Sequence, residues 1–421
     1  MERRSAATSG AGEVPWLTER RQRRKVPARH RVRLAGWLWG ERVAGGRLHY
    51  LDSARGLLML LGIPYHVALI YSPDIPRDIH AASGSLMVQA IGGAIHAFRM
   101  PAFFIIAGFC AALVLERRDD GPDWLLGRCI KLGLPFFAGM VLLNPIQMYA
   151  NALAQTATAA AAFDAFLVML QTPGRHWVRH LWFLPVLVML SAGLALARPA
   201  LRRGRAAIST FAAPMLQRRA GVTALTVALV AWQVLLLVIT RYGDTDLAIL
   251  NGFVDLRAVL YFAPYFALGA ALQMSAGLSR LPAGVWVAVL GAAALMAYLS
   301  LYPPGTVLAA YLFEAASAFA AMALFALLIG LCRRHLDRPS RVLGFFVGLS
   351  FPIYLLHMPI VSVLGLVMKD AALHPVLGFG ILSLVALALS TVAAGAVLRL
   401  RLGQALFNGA VRAGPVLRPA P

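Results

Sequence analysis

The sequence predicts an all-α integral membrane protein with about ten transmembrane helices, and three observations predict it. Apolar runs of about 20 residues, the length that crosses ~30 Å of hydrocarbon, recur along the chain. Of the 421 residues, 60% are hydrophobic and only 14% are charged. The polar breaks between the runs are short, so the runs form one integral domain, placed at residues 49–402, where length alone would suggest two or three soluble domains.

A basic stretch, residues 1–48, precedes the first run. It has no short apolar core followed by a small-residue cleavage site, so it does not read as a signal peptide. RRQRRKVPARHRVR, followed by Trp37 and Trp39, suits an anionic cytoplasmic lipid surface with the indoles at headgroup level, or else a solvated disordered tail. Spans are then expected at roughly 53–72, 92–115, 132–151, 181–198, 221–240, 257–275, 284–302, 307–331, 345–366 and 376–398. The third, LGLPFFAGMVLLNPIQMYANAL, contains the helix breakers Pro135 and Pro145. Only YPPGT separates the seventh from the eighth, and residues 403–421 make a short tail.

The net charge of +21 raises the question of nucleic acid. In a membrane protein, however, Lys and Arg concentrate on the cytoplasmic side and set orientation. With the N-terminus inside, 31 of the 39 basic residues fall on the cytoplasmic side and 6 outside, or 19 against 6 without the tail. Both termini are therefore expected in the cytoplasm, with lipid and not nucleic acid as the basic residues' partner. Cys110, Cys129 and Cys332 show neither metal-ligand spacing nor a paired framework.

Two of the basic residues lie within spans, and intramembrane charge is costly enough to mark function. The first span, LDSARGLLMLLGIPYHVALIYS, carries Arg55 and His66. Eleven positions turn a helix about 20° past three full turns, so both lie on one face with Cα atoms about 16 Å apart. Pro64 bends the helix just before the histidine. The spacing suits a ligand with an anionic end and a distant reacting end, such as a coenzyme A thioester. A snorkelling arginine plus a histidine hydrogen-bonded inside the bundle would leave the same pattern.

The second span repeats the anomaly in HAFRMPAFFIIAGF, with His96 and Arg99 at i, i+3. Arg128 and Lys131 follow at the cytoplasmic start of the third span, placed for ligand phosphates or for lipid headgroups. RHWVRHLWFLP brings Arg175, His176, Arg179 and His180 to the outer end of the fourth span beside Trp177 and Trp182, whose rings suit an interface belt or a sugar face. In the ninth span SFPIYLLHMPI sets Ser350, Tyr354 and His357 on one face, a structural stripe or a catalytic one. No GxSxG, Walker A, HExxH or correctly set GxGxxG is present, so neither a covalent serine nor a metal mechanism has support.

LDSARG followed after nine residues by His66, then FRMPAFFIIAGF, then SFPIYLLH, resembles the acyltransferase type 3 family of ten-span membrane O-acyltransferases. That family's hallmark is an arginine and a histidine with ten residues between them on the first span, which Arg55 and His66 fit. HLWFLPVLV and YFAPYFALGA extend the likeness, in order from residue 51 to about 362, to members that succinylate periplasmic glucans. The family's basic stretch after the second span is represented here only by GRCIKLGLPFF. Its acidic partner for the histidine has no clear match, leaving Asp74 and Asp78 of SPDIPRDIH as candidates.

The resemblance implies an enzyme of the bacterial inner membrane that moves a short acyl group, succinyl or another, from cytoplasmic acyl-CoA to a hydroxyl of a periplasmic or cell-surface glycan such as an osmoregulated glucan. No bound cofactor is expected, since acyl-CoA is a co-substrate. His66 would be the general base, with Arg55 beside it in function. Arg99, His96, Arg128 and Lys131 would hold the donor, and Asp74, His180, Trp182 and His357 the acceptor. The rivals are a flippase or transporter for an anionic lipid or glycan, and a scaffold in which these groups only join helices.

Overall fold

The computed structural model describes residues 42–43, 46–75, 77–117, 121–242, 247–275, 278, 284–302 and 304–409. The tail up to residue 41, with Trp37 and Trp39, and residues 410–421 lie outside the described residues. Two short antiparallel pairs, β1 (Arg42–Val43) with β2 (Gly46–Arg47) and β3 (Ala248–Ile249) with β4 (Val254–Asp255), are the strands among them. The remaining ordered elements are helices.

The first span is two helices, α1 (His49–Leu60) and α2 (Gly62–Ile70), and the second is one long helix, α3 (Leu86–Glu116). The third span starts earlier than expected. It comprises α4 (Gly121–Leu142) and α5 (Asn144–Gln155), which puts Arg128 and Lys131 inside a helix instead of at its start. Pro145 sits at the first turn of α5, where its missing N–H costs nothing. The segment after it, expected as loop, contains α6 (Ala159–Gln171), whose Thr158 caps the amide of Ala161.

A single turn, α7 (Arg175–Val178), and a 3₁₀ turn (Arg179–Trp182) lead into α8 (Phe183–Gln217). Then follow α9 (Arg219–Tyr242), α10 (Leu256–Ser275), α11 (Val285–Ser300), α12 (Val307–His335), α13 (Arg341–Met368), α14 (Pro375–Val397) and α15 (Arg401–Asn408). The expected tail from residue 403 is thus partly helical, and α15 packs back against α4.

Among the described residues nine helical segments are long and apolar enough to cross a membrane. The expected seventh span is α11, whose 16 residues rise only about 24 Å. The chain is therefore a multi-pass membrane protein, with nine candidate full-length spans and the shorter apolar α11 among the described residues. Its centre is α3, which buries Phe104, Ile105 and Ile106 completely. Gly108 of α3 and Gly269 of α10 let the two backbones touch, since a Cβ on either would overlap the other helix's carbonyls at Phe266 and Ile105. This small-residue contact, the usual means by which helices approach closely in lipid, fixes the helix that carries Arg99.

Candidate active site

Pro64 has no N–H to offer the carbonyl of Leu60, and its ring crowds that carbonyl. The first span accordingly breaks at Leu61 between α1 and α2. The break leaves His66 one turn from the outer end of its helix and Arg55 in the other half. From His49 to His66 the rise is about 25 Å, whereas from His66 to Ile70 it is about 6 Å.

At that level four spans bring polar groups together. The rings of His66 and His357 have centroids 5.4 Å apart, and those of His357 and His180 are 5.5 Å apart. Tyr65 stacks on His96 at 5.1 Å, and the Arg99 guanidinium lies over the same tyrosine at 5.0 Å from its centroid. Arg99, His180 and His357 are buried, His66 and Tyr65 are half-buried, and His96 is exposed, so the cluster is open on the His96 side.

Gly62, at the break, is what lets Arg99 in. A Cβ there would lie 2.7 Å from Arg99 Nη1 and 3.5 Å from His357 Nε2. The two groups therefore converge on one small volume beside the first span. Arg99 Nε and His357 Nε2 are buried there without a hydrogen-bond partner. Arg99 has no carboxylate partner among the described residues. A buried guanidinium with no carboxylate partner among the described residues is a cation that a bound anion, or a developing oxyanion, would complement.

The orientation of His180 depends in part on two residues not singled out in the sequence, Asn144 and Gln147. Asn144, at the start of α5, donates from Nδ2 to the carbonyl of Trp177 at 2.5 Å, holding the turn that leads to His180. Gln147 Nε2 donates to Asn144 Oδ1 at 2.7 Å and lies 3.4 Å from His180 Nδ1. On the other side His180 Nε2 meets the carbonyl of Leu355 at 3.3 Å, and Tyr354 donates its hydroxyl to the carbonyl of His180 at 2.5 Å. Asn144, Gln147 and Asn151 stand at i, i+3 and i+7, a polar face readable in NPIQMYAN once the flanking prolines are not taken as ending the span.

The other expected site residues lie elsewhere. Arg55 Nη2 is 3.4 Å from Asp52 Oδ1 within α1. Asp52, His49 and Ser53 line a cleft of about 420 Å³ with Arg338 and Arg341 at the end where α1 begins. Arg128 donates from Nε to Ser191 Oγ at 2.7 Å and stacks over Trp124, and the backbone of Lys131 meets Gly409 after α15. Trp182 stacks on Phe262 at 5.5 Å, in the packing of α10.

Asp74, one of the two candidate acidic partners for His66, makes an exposed exchange with Gln89, its amide and its Oδ2 each 3.1 Å from the Gln89 side chain. Asp78 receives the Asn151 amide and stands 3.9 Å from Arg179 Nη1. Among the described residues no carboxylate pairs with any of the three clustered histidines. Neither does any group of three His, Cys, Asp or Glu side chains there have the grouping to hold a metal ion.

A half-buried imidazole near a buried guanidinium, towards one face of the bundle, can take a proton from a hydroxyl while positive charge stabilises an oxyanion. Comparison with known proteins bears on which reaction uses these groups. Residues 48–395 match the acyltransferase type 3 family model, described as an acyltransferase domain. The glucans biosynthesis protein C sequences of Escherichia coli K12 and of the E. coli strains O1:K1 / APEC and O139:H28 are each 33% identical over 153 residues, 35% of this chain and 38% of each relative. The match thus spans well under half the length of those relatives. No solved structure matches. With nearly the whole bundle inside the family model, and a polar cluster built by its first, second, fourth and ninth spans, the chain belongs to the acyltransferase type 3 family of membrane acyltransferases.

Proposed function

We propose that the protein is an O-acyltransferase of the bacterial inner membrane, taking a short acyl group from acyl-CoA on the cytoplasmic side and placing it on a hydroxyl of an exported glycan. The observation that carries this reading is the convergence of Arg99 and His357 beside Gly62, with the His66 ring 5.4 Å from that of His357. His66 takes the hydroxyl proton as the oxygen attacks the thioester carbonyl, and Arg99 opposes the charge that develops on the carbonyl oxygen. Direct transfer of this kind needs no acyl-enzyme.

The depth of the cluster favours a two-sided reaction. An acceptor reaches His66 over about one helical turn from the end where α2 stops. The donor's reactive end must come from the far side, past Arg55 and the cleft that holds Arg338 and Arg341, whose charges suit its phosphates. Succinyl as the acyl group and an osmoregulated glucan as the acceptor are supported by the likeness to glucans biosynthesis protein C. The test is purified protein in detergent with succinyl-CoA and a soluble glucan. Release of free CoA only when both are present, with a matching mass increment on the glucan, is expected. Movement of unmodified glycan or lipid across vesicles with no CoA release would replace this reading with a flippase.

A further inference from the structure

His357 presents an unusual combination. Its Nδ1 lies 2.6 Å from the carbonyl of Tyr354, one turn back on the same helix. A carbonyl can only accept, so Nδ1 carries the hydrogen, and Nε2 is left with a bare lone pair. That atom is buried, has no hydrogen-bond partner, and points into the volume at Gly62 that Arg99 Nη1 also enters. His180 differs. Its Nε2 faces the Leu355 carbonyl and its Nδ1 faces the Gln147 amide, so both nitrogens are occupied and it has no site left for a proton. His66 makes no hydrogen bond to a described residue, and its ring is 5.4 Å from that of His357, a separation that one proton transfer can cross directly or through one water.

We propose that His357 is a second catalytic residue of the transfer, carrying the proton from His66 to the departing thiolate. The inference rests on the acyltransfer reading and adds the fate of the proton. The acceptor oxygen forms its bond to the carbonyl carbon, and the hydroxyl proton passes to His66. Collapse of the tetrahedral intermediate breaks the carbon–sulfur bond. The proton moves from His66 to Nε2 of His357 and from there to sulfur, so ester and free thiol leave with both histidines restored to their neutral forms.

The test compares His357→Gln and His66→Gln in purified protein with two donors, acyl-CoA and the same acyl group on an aromatic thiol. An aromatic thiolate leaves without being protonated. Glutamine keeps a polar group at the position of Nε2 but cannot carry a proton, and the unfolding midpoint in detergent verifies each variant's fold. His357→Gln is expected to lower kcat with acyl-CoA about 100-fold or more, with the donor KM nearly unchanged. With the aromatic thioester its deficit relative to the parent should shrink to less than about tenfold, while that of His66→Gln should not shrink. A folded His357→Gln that keeps more than a tenth of parental kcat, or loses equally with both donors, overturns the proposal. If His357→Gln does not fold, His357→Asn, which retains the contact to the Tyr354 carbonyl, is judged by the same donor ratio. A parent that releases no CoA from acyl-CoA and no aromatic thiol from the second donor overturns the acyltransfer reading itself.

Discussion

Toward the end where α1 begins, arginines are matched. Arg55 lies beside Asp52, Arg205 pairs with Glu116, and Arg128 donates to Ser191 while stacking on Trp124. At the level of His66 the situation is reversed. Arg99 is buried against a tyrosine ring with no carboxylate partner among the described residues, and it shares the volume at Gly62 with His357. The matched charges hold helices and headgroups in place. The unmatched one leaves an electrostatic demand that the bundle does not meet, which is the condition under which a substrate's charge can be bound or stabilised.

The sharpest way to break this comparison is His66→Gln. Loss of the proton acceptor should reduce kcat for acyl transfer by about 100-fold to 10,000-fold while donor KM stays close to parental, measured as CoA release. Near-normal turnover would remove His66 from the chemistry. Arg99→Lys comes next, because it keeps the charge but loses the fork. We expect about a tenfold to hundredfold fall in kcat/KM, and full activity would mean that only a point charge is needed.

Gly62→Ala tests the shared volume without touching either functional group. Its methyl group would stand 2.7 Å from Arg99 Nη1, so the guanidinium must move. Activity should fall about tenfold, with at most about 1–3 kcal/mol lost in stability. Gly348→Ala in α13, where a Cβ meets nothing within 4 Å, should leave activity and the unfolding midpoint near parental. If both alanines behave alike, the convergence at Gly62 is without consequence. The smallest effect is expected for Asp74→Asn. Its side chain faces Gln89 in the first turn of α3 and is exposed, so CoA release should stay within about twofold of the parent, as for ordinary surface substitutions. A large loss would restore the acidic partner that the sequence suggested.

Much of this arrangement is legible in the sequence for a simple reason. A charge or imidazole inside an apolar run is conspicuous, and Arg99, His66, His96 and His357 each stand in one. The spans themselves follow from run length, and Pro64 marks the break that admits Arg99. What is not legible depends on lengths and contacts that periodicity does not encode. The 13 residues of α6 and the 8 of α15 are too few to register as spans. Asn144 and Gln147 are uncharged amides in a run interrupted by two prolines, so their role in orienting His180 emerges only when α5 is seen against the turn before α8. Arg55 and Asp74 drew attention by charge, yet each finds its partner nearby in its own segment or at the next helix start.

The shortness of α11 has a consequence for the surrounding lipid. A helix of about 24 Å beside full-length neighbours leaves a deficit of about 6 Å against a typical hydrocarbon core, and its lipid-facing Val285, Trp286, Leu290 and Met296 are well exposed. The bilayer must pinch inward along that flank, at a fraction of a kcal/mol per Å. Leu299 near the end of α11 packs against Gly93, three residues from His96 on α3. Thinning along that flank would lie next to the exposed His96 side of the histidine cluster. Membrane thickness is therefore expected to modulate the proposed transfer, with thinner bilayers shortening the acceptor's path.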